Sequence, residues 1–209
     1  MTGNNAGLIF SLISVGRQVS HLVKPIMKIE TKLNFTDLTV SEFDKFVNRK
    51  NFSILSPKIW PVHILNPMRC SYNGFDICIF QIGITDGSPG GAYQTGVFVR
   101  SASLNLPKFV LRPSRLGEKL LQFLHSNVID SSAAPAFSEK YHFKGESGSR
   151  IRSLFKPEAI KYFEDNEGIT AEANSNAFII FRYRDKGDTE DYSKYIDRAF
   201  AVIGLLAGQ

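Results

Sequence analysis

Apolar positions recur along this chain with three spacings, and each spacing predicts a different element. Leu8, Leu12, Val15, Val19, Leu22 and Ile26 follow one another at steps of four and three, drawing one apolar stripe along an amphipathic helix as far as Pro25. Tyr192, Tyr195, Ile196, Ala199, Phe200, Ile203 and Leu206 keep the same period and predict a closing helix that begins near Asp188. Residues 77–84 are nearly all apolar, the pattern of a central strand covered on both faces.

The stretches between are punctuated by caps and turns. Residues 26–35 carry strand signals. Thr39-Val40-Ser41-Glu42 reads as a capping box opening a short helix with Phe43, Phe46 and Val47 inward. Residues 52–55 suggest another strand, and 56–67, with Pro57, Pro61 and Pro67 around Trp60 and His63, suggest a loop over the core. Strands are expected at 68–72, 75–85, 93–100 and 109–111, with a hairpin loop over 86–91. Ser114 can cap a helix bearing Leu116, Leu120, Leu121 and Leu124. A short strand at 141–144, a helical segment at 150–155 and a helix opened by Pro157 and stopped by Gly168 follow. A second hairpin, 169–173 with 178–183, surrounds Asn174-Ser175-Asn176.

The fold class this order predicts is α+β: mostly antiparallel sheet(s) packed with helices, with amphipathic N-terminal and C-terminal helices. Residues 1–28 form a basic amphipathic segment and 29–209 a single α+β domain. Strand, strand, helix occurs in both halves without the identity that a repeat would require.

Composition places the chain among ordinary globular proteins. It has 209 residues, 43% hydrophobic, and 17 Phe against 7 Tyr and 1 Trp suit buried packing. The net charge of +5 is uneven, because Arg17, Lys24 and Lys28 lie in the first 29 residues with no acid among them. The remainder is nearly balanced, which disfavours a nucleic-acid partner. The apolar run 7–16 is too short to cross a bilayer, and no charge precedes it as a secretory signal would need. Leu8, Leu12, Val15, Arg17, Val19, Leu22 and Lys24 are therefore expected to pack on their own domain, or to dock to a protein partner, to a second copy in a homo-oligomer, or to an anionic membrane surface. A cytoplasmic location, with or without membrane association, is the matching expectation.

Cys70 and Cys78 are the two cysteines and flank Tyr72-Asn73-Gly74-Phe75, where Asn-Gly is a strong hairpin signal. A two-residue turn pairs Tyr72 with Phe75, Cys70 with Ile77 and Arg69 with Cys78. The thiols then face opposite sides of the hairpin, which argues against a bridge between them unless a bulge shifts the register, and against a shared zinc ion.

Candidate chemistry is sparse, and no cofactor is expected. Gly87-Ser88-Pro89-Gly90-Gly91 lacks the Lys-Ser/Thr of a phosphate loop and reads as a turn. Ser147, Ser149, Arg150 and Arg152 follow Gly145-Glu146 at the start of a helical segment, where free N–H groups and two guanidinium groups suit an anion; ordinary capping by Ser147 or Ser149 explains the same composition. His21, His63, His125 and His142 stand in unrelated contexts, so a hydrolase would have to be assembled from His63 and Asp130-Ser131-Ser132 without a motif. Glu164-Asp165 and Glu190-Asp191 fall at helix ends, and Arg182-Tyr183-Arg184 is followed at once by Asp185.

Leu106-Pro107-Lys108-Phe109-Val110-Leu111-Arg112-Pro113, Phe137-Ser138 with Tyr141, Gly145-Glu146, and Ile151-Arg152 with Leu154-Phe155 and Pro157 resemble a widespread group of uncharacterised bacterial proteins. That resemblance implies a soluble α+β region often preceded by transmembrane helices, and it implies no activity. This chain departs from the group in its single amphipathic segment and in Ser147-Gly148-Ser149, where an acidic run is usual. The function expected is a non-enzymatic interaction or scaffold domain, with an enzyme of unrecognised site as the alternative.

Overall fold

The computed structural model describes residues 33–56, 62–84, 92–114, 134–146, 149–182 and 192–207. Eight strands form one sheet in the order β1-β2-β3-β4-β8-β7-β5-β6, every pair antiparallel. They are β1 (Thr36–Asp37), β2 (Val62–Tyr72), β3 (Phe75–Ile84), β4 (Ala92–Arg100), β5 (Leu106–Pro113), β6 (Tyr141–Gly145), β7 (Ile169–Ser175) and β8 (Ala177–Arg182). The helices described are α1 (Val40–Val47), α2 (Pro135–Lys140), α3 (Ser149–Leu154), α4 (Pro157–Asp165) and α5 (Ser193–Ala207). The α+β class read from the sequence is the class observed.

Alternation along β3 sends Ile77 and Ile79 to one face and Cys78, Phe80 and Ile82 to the other, and all five are buried. On the first face they join Val97, Val99, Phe178 and Ile180 in a core with residues of α2, α3, α4 and α5. On the second face, Phe98, Ile179 and Phe181 pack with Phe43, Val47, Phe52 and Leu55 from the segment 36–56. The apolar run 77–84 thus belongs to a strand covered on both sides, as its composition requires.

Local signals explain several elements. Thr39 and Glu42 form the reciprocal capping box, with Glu42 N–H donating to Thr39 Oγ1 at 3.2 Å and Thr39 N–H to Glu42 Oε2 at 2.8 Å. The β2–β3 hairpin has the predicted register, and Asn73 (φ 48) and Gly74 (φ 79) take the left-handed values that a two-residue turn demands. Pro157 occupies the first turn of α4.

Five expectations are corrected. Residues 53–55 form a 3-10 turn instead of a strand, because Ser53 and Ile54 direct their N–H groups to a side chain and not to a ladder. The Pro-rich stretch is regular from Val62 onward: Pro67 is accommodated at a bulge, where Asn66 adopts φ 47 and the register shifts. Residues 33–35 are not a strand; Leu33 and Phe35 pack beside the first-face core, and only Thr36 and Asp37 pair with β2. Gly168 is not the stop of α4, since Asn166 closes it with backbone and side-chain N–H groups on the Tyr162 carbonyl, and Gly168 (φ 84) turns the chain into β7. The closing helix starts at Ser193, with Tyr192 before it. The expected helix at 8–26, residues 115–124 of the expected helix after Ser114, the loop 86–91 and strand residues 26–32 lie outside the described residues.

Two glycines have opposite surroundings. A Cβ on Gly96 would stand 2.9 Å from the fully buried Phe80 ring, whereas one on Gly204 in α5 would meet nothing within 4 Å. Gly96→Ala is expected to destabilise the fold by about 1–3 kcal/mol through overpacking. Gly204→Ala is expected to stabilise it by about 0.5–1 kcal/mol. Urea unfolding of both variants checks the pair, and equal effects would contradict the packing described.

Candidate functional site

The helix-start candidate is only partly assembled by the structure. Ser149, Arg150 and Arg152 lie on α3, a helix of six residues, and Ser147 is outside the described residues. Arg150 is tied to the turn before β5, donating to Asn105 O at 3.2 Å and Asn105 Oδ1 at 2.8 Å. Gly145 has a packing role: a Cβ there would stand 3.1 Å from Ile151 Cδ1 and 3.3 Å from Lys108 O. Leu8, Leu12, Val15, Arg17, Val19, Leu22 and Lys24 all lie outside the described residues.

His63 and His142 do not share a site. His63 pairs with Gly83 on the first face of β2; His142 pairs with Arg112 on the second face of β6. Six strand spacings separate β2 from β6, about 29 Å. His21, His125, Asp130, Ser131 and Ser132 lie outside the described residues.

Cys70 and Cys78 are free and buried, one in each core. Burial pushes their thiols up, to about 11 and about 12, so neither is a nucleophile near neutral pH. Of the basic-aromatic triplet, Arg182 donates to Glu167 O at 2.7 Å, and Tyr183 and Arg184 are outside the described residues. Among the described residues no three His, Cys, Asp or Glu are grouped so as to hold a metal, and no helix is long and apolar enough to cross a membrane.

The most organised polar arrangement is one that sequence reasoning missed. Glu172 on β7 is 1% exposed, on the second face, where its carboxylate accepts from Ser53 N–H at 2.9 Å, Ile54 N–H at 2.9 Å and Ser53 Oγ at 3.1 Å. The donors belong to the 3-10 turn Ser53–Leu55, so this acid fastens the covering segment across the sheet. Burial raises its pKa above the ordinary carboxylate value; the donors from Ile54 and Ser53, and the nearby Lys108 charge, oppose the rise without cancelling it. In the sequence, Thr170 and Glu172 look like the solvent side of a half-buried strand. Only the distant Ser53 turn makes that side an interior.

Two more polar fastenings act on the same segment. Arg100 donates to the Phe46 carbonyl at 2.7 Å and to Asp76 at 2.8 Å, with its guanidinium 4.7 Å from the centre of the Phe46 ring. Arg49 donates to Leu55 O at 2.8 Å and Val62 O at 3.1 Å, tying the segment's end to the start of β2.

No protein-family model matches the chain, and no curated protein or solved structure matches it.

Glu172→Ala is expected to destabilise the protein by about 3 kcal/mol, because two buried N–H groups lose their acceptor at about 1–3 kcal/mol each. The pH dependence follows from the raised pKa. The folded state holds the Glu172 proton more tightly than the unfolded chain, so this group favours folding below the ordinary carboxylate pKa of 4.5, and that contribution is lost as pH rises through the folded value. The stability of the wild type relative to Glu172→Gln should therefore fall as pH rises from 4.5. Paired urea titrations across that range would expose a contradiction if the difference rose instead.

Proposed function

We propose that this chain is a non-enzymatic interaction domain, a closed α+β body that presents residues 1–28 to a protein partner or to a second copy. The observation that carries this reading is the use to which the body puts its polar side chains. Glu172, Arg100, Arg49, Arg150 and Tyr141 each bind backbone groups from another part of the chain, and so hold elements together. A reaction centre would need such groups to converge on a space that a substrate could enter.

The amphipathic segment carries an apolar stripe beside Arg17, Lys24 and Lys28, with no acid to balance them. An apolar stripe of that length buries well against a partner helix or a second copy of itself. The same charges would draw the segment to an anionic lipid surface, and that outcome is readily separated from the protein one.

Light scattering on the full chain and on a chain lacking residues 1–25 tests the reading, together with co-sedimentation on vesicles of mixed phosphatidylserine and phosphatidylcholine. The deletion is expected to lower the assembled mass while leaving the urea midpoint of the body unchanged. Loss of vesicle binding with no change in mass would move the docking role to lipid. No change in either would overturn the proposal.

A further inference from the structure

Residues 199–207 of α5, the run AFAVIGLLA, carry no polar side chain on any side of the helix. Ala199, Phe200, Val202, Ile203 and Leu206 are buried in the first-face core, but Ala201 is exposed and Gly204 and Leu205 are half-buried. A helix side that faces water ordinarily carries polar residues, and a stretch that is apolar all round is one that is covered all round. Earlier along α5 the same side is charged, at Lys194, Asp197 and Arg198. A Cβ on Gly204 would meet nothing within 4 Å, so another backbone has room to come close there.

Residues 1–28 hold the same pattern in reverse order. The run 7–16 is uncharged, and Arg17, Lys24 and Lys28 follow it. Laid antiparallel on α5, the uncharged run meets 199–207, which brings Leu12 and Val15 to the turn that holds Ala201 and Gly204. Large side chains then fill the space beside small ones, the arrangement that lets helices approach closely. The basic residues fall toward the start of α5, near Asp197 and beside the stretch where Asp188, Glu190 and Asp191 precede the helix in sequence. The described chain begins at that end of α5, since the Phe35 ring meets the ring of Tyr192, the residue before the helix, at 6.3 Å between centres. The connector 27–32 spans at most about 20 Å, so the segment leaves its body close to α5.

We propose that residues 8–26 of a second copy cover the open side of α5, in a reciprocal exchange between two copies. The inference rests on the docking role proposed for residues 1–28 and names the partner, because the surface that fits the segment is carried by this chain itself. With so short a connector, two copies exchange segments when their α5 helices are turned toward one another, which gives a closed two-fold pair.

The test uses the full chain. Ala201→Lys places a charge at an exposed position and is expected to lower the mass seen by light scattering about twofold, from pair to single chain, with an unchanged circular dichroism spectrum. In a mixture of Val15→Cys and Ala201→Cys chains, a bismaleimide is expected to join one chain to the other, while the buried Cys70 and Cys78 stay unreacted. Lys45→Cys, on α1 against the opposite face of the sheet, is expected to give no such link when it replaces Ala201→Cys. If removing residues 1–25 lowers the mass but Ala201→Lys does not, and the mixture is not joined, docking through the segment stands and α5 as its receiving surface is overturned. Linkage confined to single chains that carry both Val15→Cys and Ala201→Cys, at the mass of one chain, would overturn the exchange by placing the segment on its own α5.

Discussion

Strands β3, β4 and β8 are apolar on both sides, and everything else in the fold follows from having to cover them twice. Ile77, Ile79, Val97, Val99, Phe178 and Ile180 need one layer; Cys78, Phe80, Phe98, Ile179 and Phe181 need another. The first layer is supplied by α2, α3 and α4, which fall between β4 and β8 in the chain, and by α5, which follows β8 and lies against β4 and β8. The second is supplied by 36–56, which comes before them. Leaving either set in water would forfeit about 1.5–3 kcal/mol for each large apolar side chain, so neither layer is dispensable.

The second layer has only one eight-residue helix and two short 3-10 turns, too little regular structure to hold itself in place. It is positioned by rings and by polar fastenings. Phe43 packs on Phe80 at 4.7 Å between ring centres and Phe52 meets Phe98 edge-on at 6.0 Å, while Glu172, Arg100 and Arg49 grip the backbone at three places. A buried carboxylate gives up its hydration, which is why Glu172 titrates above the ordinary value despite three donors. Its contribution is to the register of the segment on the sheet more than to net stability. Tyr141 does comparable work on the first face: its hydroxyl lies 3.1 Å from Phe163 O and 3.0 Å from Asn166 O at the end of α4, and burial pushes it up to about 12.

Signals that act over a few residues were legible in the sequence. The capping box at Thr39, the turn at Asn73-Gly74, Pro157 at the head of α4 and the alternation that separates Cys70 from Cys78 all depend on near neighbours, and all took the expected form. Arrangements joining distant residues were not legible. The 3-10 turn at Ser53 exists because an acid 119 residues away accepts its N–H groups, and Pro67 fits β2 because a bulge at Asn66 absorbs it. The polar group that proved most organised, Glu172, sits at an alternating position that period alone assigns to solvent. The Gly145 turn, whose composition suits an anion, is also fully explained by the close approach of β6, Lys108 and Ile151.

The central claim is that segment 36–56 is part of the fold and not an attachment to it. Native-state hydrogen exchange measures this directly, by comparing opening free energies at Val47 and Ile54 with those at the β3 and β4 amides. The account predicts values within about 1 kcal/mol of one another, since exposing the second face should unfold the sheet. Exchange at Val47 and Ile54 through local opening, with β3 and β4 still fully protected, would contradict it.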